Sequence, residues 1–225
     1  MATSVIFQGE FEVPFIGSLD GFRDWALSDE FPERGRIDYL DGRIEVDMSP
    51  EDLGTHGKVK IKVCRTLDEL AEASDLGEVF VDSTRVSCPE TGLSVEPDVV
   101  FVSHEALESG RVRLKPKARG ADRYVELEGP PDLIVEVVSD SSADKDLRQL
   151  PKDYWRAGVR EFWRIDARGK DILFQIFRRA AKAYRAVRVD SQGFQRSAVF
   201  GASFRLTRRR GRSGLWNYQL ERKGE

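Results

Sequence analysis

Apolar positions recur along this chain with two distinct periods. In Arg36-Ile37-Asp38-Tyr39-Leu40-Asp41-Gly42-Arg43-Ile44-Glu45-Val46 they alternate with polar residues about an Asp-Gly pair, which predicts two strands joined by a tight turn. From roughly His56 to Ala73, Val59, Val63, Leu67 and Leu70 recur at three- and four-residue steps, so a helix there has one apolar face. Met48-Ser49-Pro50-Glu51-Asp52 reads as its entry. Upstream, an arm through about Gly35 carries Phe7, Phe11, Phe15 and Trp25, with one short helix around Leu19 to Leu27. Downstream, Glu78 to Val86 is expected to be a strand.

Two further apolar runs are also expected as strands, and each contains a carboxylate. They are Val95-Glu96-Pro97-Asp98-Val99-Val100-Phe101-Val102 and Asp132-Leu133-Ile134-Val135-Glu136-Val137-Val138-Ser139. Between them, Gly110 to Gly120 reads as a long basic excursion. Asp140 to Asp146 offers several N-caps for a helix towards Ala157, stopped by Gly158, with Pro151 either starting a second segment or kinking the first. Glu161 to Asp166, Ile172 to Arg178 and Tyr184 to Val189 follow as strands, with turns at Gly169-Lys170 and around Gly193. The outline is a mixed sheet flanked by at least two helices, an α/β or α+β arrangement.

The embedded carboxylates are the chemical lead. An ionised carboxylate in an apolar strand is costly to desolvate unless a cation or hydrogen bonds meet it, and two together point to a divalent metal held by oxygen. Asp98 and Glu136 are far enough apart in sequence to sit on neighbouring strands. The competing structural reading places Asp98 at a solvated strand edge and pairs Glu136 with a cation such as Arg164.

Composition narrows the alternatives. With 225 residues, 40% hydrophobic and 33% charged, the chain can bury a substantial core as one compact unit. No apolar run is long enough to cross a bilayer and no signal peptide is evident, so a cytoplasmic location is expected. Cys64 and Cys88 are too widely separated for a thiolate zinc motif, and His56 and His104 are too few for a multi-histidine centre. A net charge of -3 does not advertise a nucleic-acid binder, although Arg111 to Arg123 and Arg205 to Arg212 are locally basic. Both stretches read first as solvated surface.

The segment from about Arg36 to Arg168 resembles the Uma-two family of restriction-endonuclease-like proteins, within the PD-(D/E)XK nuclease superfamily. The residues that carry the resemblance are Tyr39-Leu40-Asp41-Gly42, Met48-Ser49-Pro50 with His56-Gly57, Glu96-Pro97-Asp98, Pro131 to Ser139, and Tyr154 with Ala157-Gly158-Val159, Glu161-Phe162-Trp163 and Asp166. Each motif is weak alone, and their order and spacing make the match specific. The resemblance implies a restriction-endonuclease-like core (36–168) with a central mixed sheet, an N-terminal arm (1–35) and a C-terminal β extension of the same domain (169–225).

It also implies Mg2+- or Mn2+-dependent cleavage of phosphodiesters in double-stranded DNA, with Asp98 and Glu136 as ligands. The signature lysine should follow Glu136 by two residues, but Val138 stands there. The family displaces this lysine onto the next helix, commonly where this chain has Leu150, which leaves Lys145 and then Lys152 as candidates. Asp38 stands where the family commonly has glutamate, and His56 is a further candidate for a supporting role. The missing lysine keeps open a second reading, a catalytically inactive nuclease fold acting as a nucleic-acid-binding or interaction module. A carboxylate-pair glycosidase is a third, without the aromatic platform that sugars require. A homodimer would suit cleavage of both DNA strands.

Overall fold

The computed structural model describes residues 14, 16–32, 35–118, 123–141, 143 and 145–224. Phe7, Phe11 and Phe15 of the expected arm, Arg119 of the basic excursion, and Ser142 and Asp144 among the expected caps lie outside the described residues. Ser18 caps α1 (Leu19–Ala26) by accepting from the Gly21 amide at 3.2 Å. The expected hairpin forms from β1 (Arg36–Leu40) and β2 (Arg43–Asp47), with Asp41 and Gly42 both at positive φ as this tight turn requires. The next helix starts earlier than its apolar periodicity predicts. Asp52 caps a π-helical turn (Leu53–Gly57) that runs into α2 (Lys58–Ala73).

The expected strand from Glu78 to Val86 is two strands, β3 (Gly77–Val81) and β4 (Arg85–Cys88), separated where Asp82 and Ser83 take positive φ. The run from Val95 to Val102 is likewise divided between β5 (Leu93–Val95) and β6 (Val99–Ser103). Pro97 has no amide hydrogen to give a ladder, and the Glu96 amide is diverted to Asp38 Oδ1 at 2.9 Å. Both strand pairs therefore cross from one sheet to another at the same level. The short α3 (His104–Glu108) precedes the basic excursion, which itself carries a strand, β7 (Arg113–Pro116), paired with β8 (Tyr124–Glu128).

The remaining elements are β9 (Leu133–Val137), a π-helical turn (Lys145–Gln149) continuing as α4 (Leu150–Ala157), β10 (Glu161–Asp166), β11 (Leu173–Arg179) and β12 (Tyr184–Ala186). Pro151 starts the α4 segment, and Gly158 at φ 99° closes it. The tail forms β13 (Gln195–Arg196), β14 (Ser203–Arg210) and β15 (Trp216–Lys223). Strand orders are β2-β1-β5-β4-β8-β7, β12-β11-β10-β9-β6-β3 and β13-β14-β15. The β9–β10 and β4–β8 pairs are parallel and the others antiparallel, so the two larger sheets are mixed. Among the described residues no helix is long and apolar enough to cross a membrane.

β9 lies between two apolar layers, which explains its unbroken hydrophobic run. Leu133, Val135 and Val137 face a cluster with Val59, Val63 and Leu67 of α2 and Phe200, Phe204 and Leu220 of the tail. Ile134 faces the opposite layer, with Leu150 and Tyr154 of α4 and Val86 and Val95 of the first sheet. Strand alternation puts Glu136 on the Ile134 side, beneath α4.

Candidate metal centre

The β6–β9 ladder pairs Val99 with Val135, and one step further sets Asp98 opposite Glu136. Both carboxylates are buried. Asp98 Oδ2 accepts from the Val137 amide at 2.7 Å and meets His56 Nε2 at 3.3 Å. Glu136 Oε1 accepts the Tyr154 hydroxyl, while its Oε2 is buried with no hydrogen-bond partner among the described residues. A buried carboxylate oxygen left without a partner is uncommon and costly, and here a second carboxylate, Asp98, stands opposite on the neighbouring strand.

Arg36 is the cation that meets this pair. Its Nε donates to Asp38 Oδ2 at 3.0 Å, and one of its terminal nitrogens lies 3.7 Å from Glu136 Oε1. Lys145 Nζ donates to the same Asp38 oxygen at 2.8 Å. Arg36 thus links the buried Asp38 and Glu136, Lys145 joins them through Asp38, and Asp98 lies close enough for its charge to act on Arg36 and Glu136. The fold gathers Asp98, Glu136, Lys145 and Asp38 at one place. Lys152 is exposed on α4 and lines a separate hollow.

Electrostatics divides the two central carboxylates. Burial pushes the Glu136 carboxyl up to about 8, helped by the charges of Asp98 and Asp146 and opposed by Arg36. Asp98 is subject to the same burial, but His56, Arg36 and the Val137 amide outweigh it and hold its pKa below the usual value. Burial alone would lower His56, yet its contacts with Asp98 and Glu51 raise it to about 9. His56 is therefore an imidazolium near neutral pH, and it keeps Asp98 ionised.

Asp98, His56 and Arg36 open into a cavity of about 470 Å³ where the strand pairs change sheets, while Glu136 and Asp38 lie fully buried behind them. Its walls include Arg36, His56, Lys60, Asp82, Glu96 and Asp98. Lys145 borders an adjoining hollow that shares Asp47, Ser49 and Ser141 with it. Glu51 bridges His56 at 2.8 Å and Lys60 at 2.9 Å.

The sequence reading missed Arg36 and the contact between Tyr154 and Glu136. The only available signal for Arg36 was its place two residues before Asp38 in an alternating strand, hence on the same face. Arg164, the proposed structural partner of Glu136, instead rests over the Phe177 ring at 5.0 Å. The basic excursion is largely engaged within the chain: Arg111 with Asp132, Arg113 and Lys115 with Glu128, and Lys117 with Asp29.

Among the described residues no three or more His, Cys, Asp or Glu side chains gather as a metal cluster. Two carboxylates suffice for Mg2+, which commonly keeps several waters and takes one or two protein ligands. An unpaired buried oxygen on Glu136, with Asp98 opposite it in the ladder, fits such an ion.

A protein-family model, Uma2, described as "Putative restriction endonuclease", matches residues 19–209. Among solved structures, a chain from Anabaena variabilis ATCC 29413 described as "a putative nuclease belonging to DUF820" is similar, with a TM-score of 0.57 and 16% sequence identity. The match covers 81% of this chain and 90% of that one. At that identity the likeness is one of fold, and the fold is restriction-endonuclease-like. No curated protein matches.

Proposed function

We propose that this chain, which belongs to the Uma2 family, is a Mg2+-dependent endonuclease that hydrolyses phosphodiester bonds in double-stranded DNA, with Mn2+ able to replace Mg2+. The supporting observation is the pair of buried carboxylates facing each other across β6 and β9, one with an unpaired oxygen. Asp98 and Glu136 would hold the ion. When bound, it supplies Lewis-acid stabilisation of the phosphoryl oxygen and lowers the pKa of water.

The chain's own groups do the rest. His56 and the Val137 amide keep Asp98 ionised and oriented, and the Tyr154 hydroxyl fixes Glu136. Arg36, Lys60 and protonated His56 line the cavity and offer positive charge to an entering phosphate. Lys145, held by Asp38 and bordering the adjoining hollow, positions the attacking water. Two-fold pairing of chains would present one such site to each strand of a duplex.

Purified protein should nick or linearise plasmid DNA with Mg2+ or Mn2+, and Asp98→Ala and Glu136→Ala should each reduce the rate by at least about a hundredfold. Cleavage unchanged in both variants would remove the assignment. One observation favours the inactive alternative: Val138 is buried where the signature lysine should be, and Lys145 is already paired with Asp38. Metal binding without cleavage of single-stranded, duplex or branched DNA or of RNA would select that reading.

A further inference from the structure

On the other side of α4 lies a second concavity, of about 410 Å³. Tyr154 projects from α4 to Glu136, whereas its neighbour Trp155 lines this second hollow. Its wall is aromatic: Trp155, Phe177 and Tyr184 border it, backed by the fully buried Phe162. Phe162 stacks on Phe177 with centroids 5.8 Å apart and planes at 22°, and it meets Tyr184 at 5.8 Å. Two hydrogen bonds fix the outer rings: Trp155 Nε1 to the Ala180 carbonyl at 2.8 Å, and the Tyr184 hydroxyl to the Val159 carbonyl at 2.9 Å. The surface is therefore built before any ligand arrives.

The polar lining has one sign. Lys152, Arg156, Arg164 and Lys182 border the hollow, and no acidic residue does, although the chain as a whole carries a net charge of -3. Arg156 is paired with Asp153 and Asp41. Among the described residues, Lys152, Arg164 and Lys182 have no ion-pair partner. Arg164 is half-buried, and burial lowers its pKa against the weaker pull of Asp166. Its guanidinium lies over Phe177 and makes no hydrogen bond to another described residue.

We infer that this hollow binds a nucleotide unit, its base stacked on the aromatic wall and its phosphate held by Arg164 and Lys182. An aromatic wall stacks a base irrespective of sequence, and an arginine on a ring face can both stack and bind phosphate. An aliphatic ligand would leave the cations without a role, and a simple anion would leave the rings without one. The unit is either a free mononucleotide or an unstacked nucleotide of a strand. Arg164 pairs in register with Glu136 on the neighbouring strand, so the hollow flanks the candidate metal centre without sharing a ligand with it.

Calorimetry on the full chain in EDTA tests this independently of metal-dependent cleavage, so either reading can fail alone. Deoxyadenosine 5'-monophosphate should bind one to one, at least about tenfold more tightly than deoxyadenosine or inorganic phosphate. Arg164→Gln and Lys182→Gln, both at solvent-accessible positions, should each weaken it roughly three- to tenfold. Tighter binding of a single-stranded oligodeoxyadenylate than of the mononucleotide would support a strand as the source, and the reverse would support a free nucleotide. No binding of the mononucleotide at millimolar concentration, or equal affinity in both variants, would overturn the inference.

Discussion

Glu136 is held in a state that an exposed glutamate does not adopt. Its pKa rises from 4.5 to about 8 because burial and the charges of Asp98 and Asp146 outweigh Arg36. Between those two values the folded chain keeps a proton that the unfolded chain releases, so stability falls as pH rises through that window. His56 acts with the same sign: its stabilisation is complete below 6.5 and is lost as pH rises through about 9. Glu136→Gln, which keeps the shape without the charge, should therefore melt several degrees above the parent at pH 8.5 in EDTA, with the difference shrinking towards pH 5. Scanning calorimetry at the two pH values checks this. That Asp98 and Glu136 are buried on neighbouring strands was legible in the sequence, because a carboxylate in an apolar strand is conspicuous. Arg36 was not, because an arginine at a strand entrance looks like ordinary surface, and only the fold shows it turned inward to three acids.

Element boundaries depend on where backbone hydrogen bonds can be made. The hairpin at Asp41-Gly42, α2 and the Gly158 stop were readable because each rests on local chemistry. The two strand breaks were not, since Val95 to Val102 and Glu78 to Val86 read as continuous until the sheets divide them. Pro97 and the diversion of the Glu96 amide to Asp38 account for the first break, and positive φ at Asp82 and Ser83 marks the second. That division opens the cavity beside Asp98 and His56. Gly77, at the start of β3, has φ 151° and a would-be Cβ only 2.1 Å from the Val102 carbonyl oxygen. Gly77→Ala should push β3 off β6 and cost more than about 2 kcal/mol. Gly42→Ala also sits at positive φ but meets nothing within 4 Å, so it should cost only about 1 kcal/mol. Urea melts of the two variants compare them directly.

Across the whole molecule, the tail contributes to the central core. Phe200, Phe204, Leu206, Tyr218 and Leu220 pack in the same cluster as α2 and β9. Its arginines also serve the fold: Arg208 donates to the carbonyls of Ala167, Gly169 and Lys170, and both Arg208 and Arg210 lie over Trp216. Ending the chain at residue 190 should therefore abolish cooperative thermal unfolding, as circular dichroism would show. The mixed-sheet class was legible from alternating strand and helix periods, whereas the distribution of strands over three sheets was not, because pairing partners lie far apart in sequence. The account as a whole rests on Asp98 and Glu136 sharing one ion, and Mn2+ titration by calorimetry at neutral pH tests that most directly. The prediction is a single site in the parent, weakened at least about tenfold in both Asp98→Ala and Glu136→Gln. Unchanged Mn2+ affinity in both variants would contradict it.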